Sequence, residues 1–215
     1  MTTPEARYDV RAWPHDDEAR ADLAAYVEAR RSGDDRAVLS ADEGDFRGAD
    51  LTGMDLVGAF LMGADLSGTR LARTDLFRAN LAGADLDGAD LTGAQLRKVE
   101  APGLSAREAI LAGADLFVAE LDEADLRSAD LRGALLSGTS LSGADLRGAD
   151  LRACGFGGSP TYLDDARLAD TLLTGANGVV RGPVDVGTES PEPLDGPALE
   201  AWFRDRGAPG VRVEG

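Results

Sequence analysis

Between Phe46 and Phe156 a large apolar residue is set at every fifth position, and few folds tolerate that period. Of the 23 such centres, 19 are Leu, two are Phe, and two (Ala101 and Ala106) are Ala. Two residues before each centre the side chain is small: 20 of 23 are Ala, Thr, Gly or Cys, the exceptions being Met54, Val99 and Leu104. An α-helix turns about 100° per residue, so a five-residue repeat would spread leucine over every face. A flat strand alternates with period two, and five is odd. A short repeat sustained this long instead predicts a solenoid. Small-plus-Leu pointing inward, with Asp, Arg, Ser and Gly pointing outward, is the division that burial demands.

Two places disturb the pattern. From Leu96 to Leu111 the sequence reads LRKVEAPGLSAREAIL, yet the separation remains a multiple of five. Val99 with Ala101, and Leu104 with Ala106, replace small-then-large by large-then-small. Inward volume is nearly conserved, the kind of change cores tolerate best. The preferred reading is a continuous coil with a distorted turn at Pro102-Gly103. The rival is an extruded loop with a short helix, since Ser105 and Glu108 have capping-box spacing. The second disturbance follows Phe156. Small-x-large triplets resume at Thr161-Tyr162-Leu163, Ala166-Arg167-Leu168 and Thr171-Leu172-Leu173, which places a two-residue insertion near Gly157-Gly158-Ser159-Pro160.

The motif A(D/N)LXX, as in Ala64-Asp65-Leu66-Ser67-Gly68 and Ala144-Asp145-Leu146-Arg147-Gly148, resembles that of the pentapeptide-repeat proteins. The resemblance spans roughly residues 44–178. It implies an all-β solenoid, a right-handed quadrilateral β-helix with four pentapeptides per coil. At strand spacing the coils would stack about 4.8 Å apart.

Three regions are expected: an N-terminal extension with a capping helix (1–43), the repeat solenoid (44–178), and a C-terminal strand, linker and helix (179–215). An open solenoid end exposes backbone groups and apolar centres, so short α-helices are expected at both ends. Asp16 or Asp17 can cap the first, with Leu23, Tyr26 and Val27 on one face and Gly33 as its stop. Val184-Asp185-Val186 suggests an added strand, followed by a Pro/Glu/Gly linker (189–196). Asp195 and Pro197 start the second helix, whose apolar face is Leu199, Trp202 and Phe203 and whose stop is Gly207. That face would either cover the solenoid or build a homodimer end to end.

With four repeats per coil, residues 20 apart share a face. The first face then carries Asp45, Asp65, Asp85, Asp125 and Asp145, with Arg107, Arg127 and Arg147 in the next column. The second carries Asp50, Asp90, Asp130 and Asp150. These columns form a candidate acidic ladder. The preferred reading of any single Asp is that it hydrogen-bonds its own turn, as Asp and Asn commonly do. Val57, Phe77 and Phe117 on the third face, with Phe60 and Met62 on the fourth, form a candidate apolar contact patch unless a terminal cap covers them.

Composition excludes several functions. The formal charge is −17, which opposes binding to nucleic-acid phosphates and to anionic lipid. One cysteine (Cys154) and one histidine (His15) cannot make an intrachain disulfide or a Cys/His zinc cluster. The start MTTPEARYDV lacks a basic and then apolar leader, and no run of about 18 apolar residues exists, so a cytoplasmic protein is expected. Neighbouring acids such as Asp164-Asp165 or Glu120, Asp122 and Glu123 would need a water-excluding pocket to act catalytically, and a convex rod offers none. The expectation is a protein without catalytic activity, cofactor or metal.

The family resemblance also suggests a partner. Gyrase-protecting members are acidic rods that resemble duplex DNA and occupy the DNA-binding saddle of a type II topoisomerase. The tail ALEAWFRDRGAPGVRV, after GPVDV, looks like the C-terminal helix with which such members dimerise. Two departures stand out: the centres here are Leu where those proteins favour Phe, and the helix expected at 16–32 has no prominent counterpart in them. A scaffold or regulatory interaction module, unrelated to topoisomerase, is the alternative.

Overall fold

The computed structural model describes residues 7–214; residues 1–6, the first part of the segment examined for a leader, and Gly215 lie outside it. The chain forms a four-sided solenoid. Each side is a short bridge residue followed by a turn, and residue i bridges residue i+20 in parallel, as in Asp45 to Asp65 to Asp85. In each side the bridge residue and the centre face opposite coils. Asp85 N donates to Ala64 O below at 2.9 Å, and Leu86 N donates to Ser105 O above at 2.7 Å. The next small residue then closes the turn, as when Ala89 N donates to Leu86 O at 3.0 Å. Centres and small residues are buried along the whole stack. Where the small residue is threonine its hydroxyl is satisfied: Thr74 Oγ1 donates to Leu51 O at 2.9 Å and Thr139 Oγ1 to Leu116 O at 2.7 Å.

Residues 97–108 stay in the coil. Glu100 bridges Glu120, Ser105 bridges Asp125, and Val99, Ala101, Leu104 and Ala106 are all buried. The in-phase reading therefore holds, because a reversed inward pair still fills most of the same space. The fit is not perfect: an apolar internal cavity of about 20 Å³ lies against these four residues and the leucines above and below them.

The two-residue insertion after Phe156 also shows in the register. Bridges widen from 20 residues to 22, as in Ser140 to Tyr162 and Asp150 to Leu172. Strand β1 (Gly155–Tyr162) absorbs the extra residues as irregularities and pairs in parallel with β3 (Asn177–Arg181). The two backbones approach so closely that a Cβ on Gly178 would lie 2.4 Å from Gly157 N. Parallel stacking continues past residue 178, with β2 (Ala166–Arg167) on β4 (Val184–Asp185).

Both ends are closed. Helix α1 (Asp17–Arg31) is capped by Asp16, whose carboxylate accepts from Ala19 N at 2.8 Å, and it buries Ala19, Leu23, Tyr26 and Val27. The segment before it covers the open edge of the first coil: Asp50 N donates to Ala12 O and Asp55 N to Arg7 O. Tyr26 donates its hydroxyl to Asp55 O, and Arg30 reaches Tyr8 and Asp55, tying helix to coil. At the other end β5 (Pro193–Leu194) pairs antiparallel with β4 within the stretch read as a linker. Helix α2 (Gly196–Asp205) then buries Leu199, Trp202 and Phe203. Phe203 meets Phe156 edge-on at 6.2 Å, so the last centre of the regular repeat is covered by the helix. Strand β6 (Gly210–Glu214) was not anticipated from sequence; it pairs in parallel with β3 and forms the outer edge of that sheet.

Candidate protein-binding surface

The aspartates on the first and second faces hold the fold's own turns. Asp85 accepts from Asp87 N at 2.8 Å, Asp90 from Thr92 N at 3.0 Å, Asp130 from Arg132 N at 3.1 Å and Asp150 from Arg152 N at 3.1 Å. Asp45, Asp50, Asp65, Asp125 and Asp145 do the same. A short carboxylate reaching two residues ahead fixes a turn whose last residue, three after the Asp, has positive φ. Asp or Asn there supports the local geometry, although other residues such as Arg70, Ile110 and Leu135 hold the same bridge position.

Many of these carboxylates are also paired. Arg47, Arg127 and Arg147 fork onto Asp45, Asp125 and Asp145 on the first face, and Arg132 and Arg152 onto Asp130 and Asp150 on the second. Hydrogen bonds from Arg47 hold the Asp45 carboxyl at about 2. Hydrogen bonds from the paired arginine likewise lower Asp125, Asp130 and Asp150. Asp145 is lowered too: burial pushes it up, and the bonds from Arg147 outweigh that. The ladder read from the Asp columns is therefore not a free negative stripe. In the second half of the solenoid each of its four carboxylates has a guanidinium on it.

Among the described residues Asp75, Asp85 and Asp90 on the other faces have no ion pair either, but the largest unpaired group lies on the fourth face. From Leu39 to Asp165 the five-residue segments of that side carry eight acids and no Lys or Arg. Glu100, Glu120 and Asp122 stack in its middle, with Glu123 at the corner, and Asp164 and Asp165 follow toward the C-terminal end. Glu100, Glu120, Glu123 and Asp165 are exposed, and among the described residues none of the eight lies within ion-pair distance of a cation. Sorting the arginines by the same 20-residue period would have found this face, because its columns lack them until Arg181, which pairs with Tyr162 in the coil beyond.

The expected apolar patch divides in two. Phe60 and Met62 are 48% and 49% exposed at the N-terminal end of the fourth face. Val38, unnoticed in the sequence, joins them through the bridge from Ser40 to Phe60, and Val57 lies on the adjoining third face. Neither cap covers them. Phe77 and Phe117 do not belong to this patch. They are half-buried on the third face, under the guanidiniums of Arg78 (5.7 Å) and Arg97 (5.1 Å), because arginines one residue ahead or one coil below can lie flat over each ring. Leu199, Trp202 and Phe203 are spent inside the chain, with Arg206 stacked 4.0 Å over Trp202.

Other chemistry has little foothold. Cys154 is buried, and burial pushes its thiol up to about 12. Among the described residues no group of His, Cys, Asp and Glu is arranged to hold a metal ion, and no helix is long and apolar enough to cross a membrane.

A family model described as pentapeptide repeats (8 copies) matches residues 45–81, 74–116 and 119–158. The chain belongs to the pentapeptide-repeat family. Solved relatives include HetL, a pentapeptide repeat protein involved in heterocyst differentiation regulation in the cyanobacterium Nostoc, at 26% identity over 82% of this chain and 84% of that one, with a TM-score of 0.35. QnrB1, a plasmid-mediated fluoroquinolone resistance protein, matches at 18% identity over 81% and 84%, with a TM-score of 0.43. A pentapeptide repeat protein of the Arabidopsis thaliana thylakoid lumen matches at 29% over 54% and 66%, with a TM-score of 0.24. No curated protein matches the chain. The family assignment leaves the partner open.

Proposed function

We propose that this pentapeptide-repeat protein is a non-catalytic binding rod. Its negative side occupies the basic DNA groove of a type II topoisomerase such as DNA gyrase, mimicking duplex DNA and shielding the enzyme from inhibitors. The observation that supports this reading most is the fourth face, a stack of acids on a regular scaffold whose members, among the described residues, have no cation within ion-pair distance. Such a face raises the rate of encounter with a basic groove and repels nucleic acid itself. The ladder on the first two faces contributes less, since arginines neutralise much of it. A homodimer would join through the outer edge of β6, because the aromatic face of α2 is already consumed.

Titrating the protein into a gyrase supercoiling assay, with and without a quinolone, tests the reading. Inhibition or protection that weakens steeply with salt is expected. No effect at micromolar protein removes the topoisomerase partner. The second reading, a scaffold for another protein, is favoured by the exposed Phe60 and Met62, which a phosphate mimic does not need.

A further inference from the structure

From the fourth face we infer a two-part docking surface for a protein segment that carries apolar anchors at one end and lysines or arginines along the rest. This rests on the protein-binding part of the proposed function and not on the topoisomerase. The apolar part is Val38, Phe60 and Met62, open to solvent at the N-terminal end of the face. Two acids, Asp42 and Glu43, lie one coil below this apolar part; the main charged part begins two coils above it, at Glu100, continues through Glu120 and Asp122, and resumes beyond the neutral Ser140 coil at Asp164. Between them Asn80 and Ala82 are small or neutral, so the two parts stand on one continuous side. Coil spacing puts Phe60 about 14 Å from Glu120, and the last acids about 10 Å beyond that. A partner helix covers the first distance in roughly nine residues.

The chemistry selects the occupant. Exposed Phe and Met gain from being covered by apolar side chains, and the acids gain from cations, so neither a nucleic acid nor a purely basic peptide satisfies both. A second copy is the competing occupant, because the third face carries Arg78, Arg97 and Lys98.

The probe is a synthetic fluorescent peptide of about 20 residues with leucines grouped at one end and lysines along the remainder. Its control has the same composition with the two residue types evenly mixed. The grouped peptide is expected to bind at least tenfold more tightly by anisotropy. Phe60→Ser with Met62→Ser should abolish most of that preference and leave the salt dependence unchanged. Glu100→Gln with Glu120→Gln and Glu123→Gln should weaken binding and flatten the salt dependence. Asp130→Asn with Asp150→Asn, on the second face, should do neither. Equal binding of the two peptides, or an equal loss from the second-face variant, overturns the proposal. So does self-association by sedimentation velocity that Phe60→Ser with Met62→Ser abolishes, since a second copy then covers the patch. Peptide binding without any effect on gyrase would leave this inference standing and remove the topoisomerase. A gyrase effect together with equal binding of the grouped and mixed peptides would do the reverse.

Discussion

The second and fourth faces of the solenoid both carry acidic side chains, and they use them differently. On the second face Asp130 and Asp150 each accept a backbone N–H two residues ahead and a fork from Arg132 or Arg152. On the fourth, Glu100 and Glu120 occupy the same position in the repeat but are one methylene longer, and neither shows a bond to its own turn. A carboxylate at this position is structural when it is Asp, which bonds its own turn with an Arg beside it or without one, and available when it is Glu, which does not. Net charge does not separate these cases; the local hydrogen bond does.

The contrast is sharpest when the aspartate side chains are removed. Asp130→Ala with Asp150→Ala is expected to destabilise the solenoid by about 2 kcal/mol in sum, by analogy with the loss of helix-capping side chains. For a chain of this size that lowers the melting temperature by several degrees, roughly 4–8 °C. Glu100→Ala with Glu120→Ala should leave it nearly unchanged. Asp130→Asn with Asp150→Asn keeps the turn acceptor and loses the ion pair, so its cost should be small, since exposed pairs contribute little. If Asn and Ala variants melt alike, the arginine fork outweighs the turn bond and the assignment of roles is wrong.

Acid provides the next test. The carboxyls of Asp45, Asp125, Asp130 and Asp150 are lowered in the folded chain, Asp45 to about 2. A lowered folded pKa means that their stabilisation is fully present above the unfolded value of about 3.9 and is lost as pH falls toward the folded value. Melting temperature should therefore hold from neutral pH to near 4 and fall below it. Asp130→Asn with Asp150→Asn should make that fall shallower. Glutamine substitutions on the fourth face should not alter its slope, which thermal unfolding across this pH range would show.

How much of this was readable beforehand follows from what a five-residue period encodes. It fixes inside and outside, so Leu86, Ala89 and their equivalents could be placed in the core, and conserved phase kept Val99 and Leu104 there as well. It also gives columns, so Asp130 over Asp150 was legible. The period does not say what an outward side chain bonds to. That Asp bonds its own turn was expected and is found, but the fork of Arg132 or Arg152 back onto the same Asp could not be read from the columns. Phe117 and Phe60 also look alike in sequence; the difference is Arg97, one coil below Phe117, lying over its ring. Strand β6 was missed because GVRVE is short and its partner β3 lies about 30 residues earlier, outside the repeat that reveals the rest.

The smallest expected effect is the most discriminating for the fourth face. Glu100→Gln with Glu120→Gln and Glu123→Gln removes three like charges without changing shape. If those acids take no part in folding, stability should move by less than about 0.5 kcal/mol, as for ordinary surface changes. The sign should be positive at low salt, where stacked carboxylates repel, and should vanish as salt screens them. Melting curves at two ionic strengths measure both. A drop approaching that of the Asp130→Ala, Asp150→Ala pair would mean that glutamate also clamps its turn. The fourth face would then be another structural ladder, and its charge would no longer mark a place for a partner.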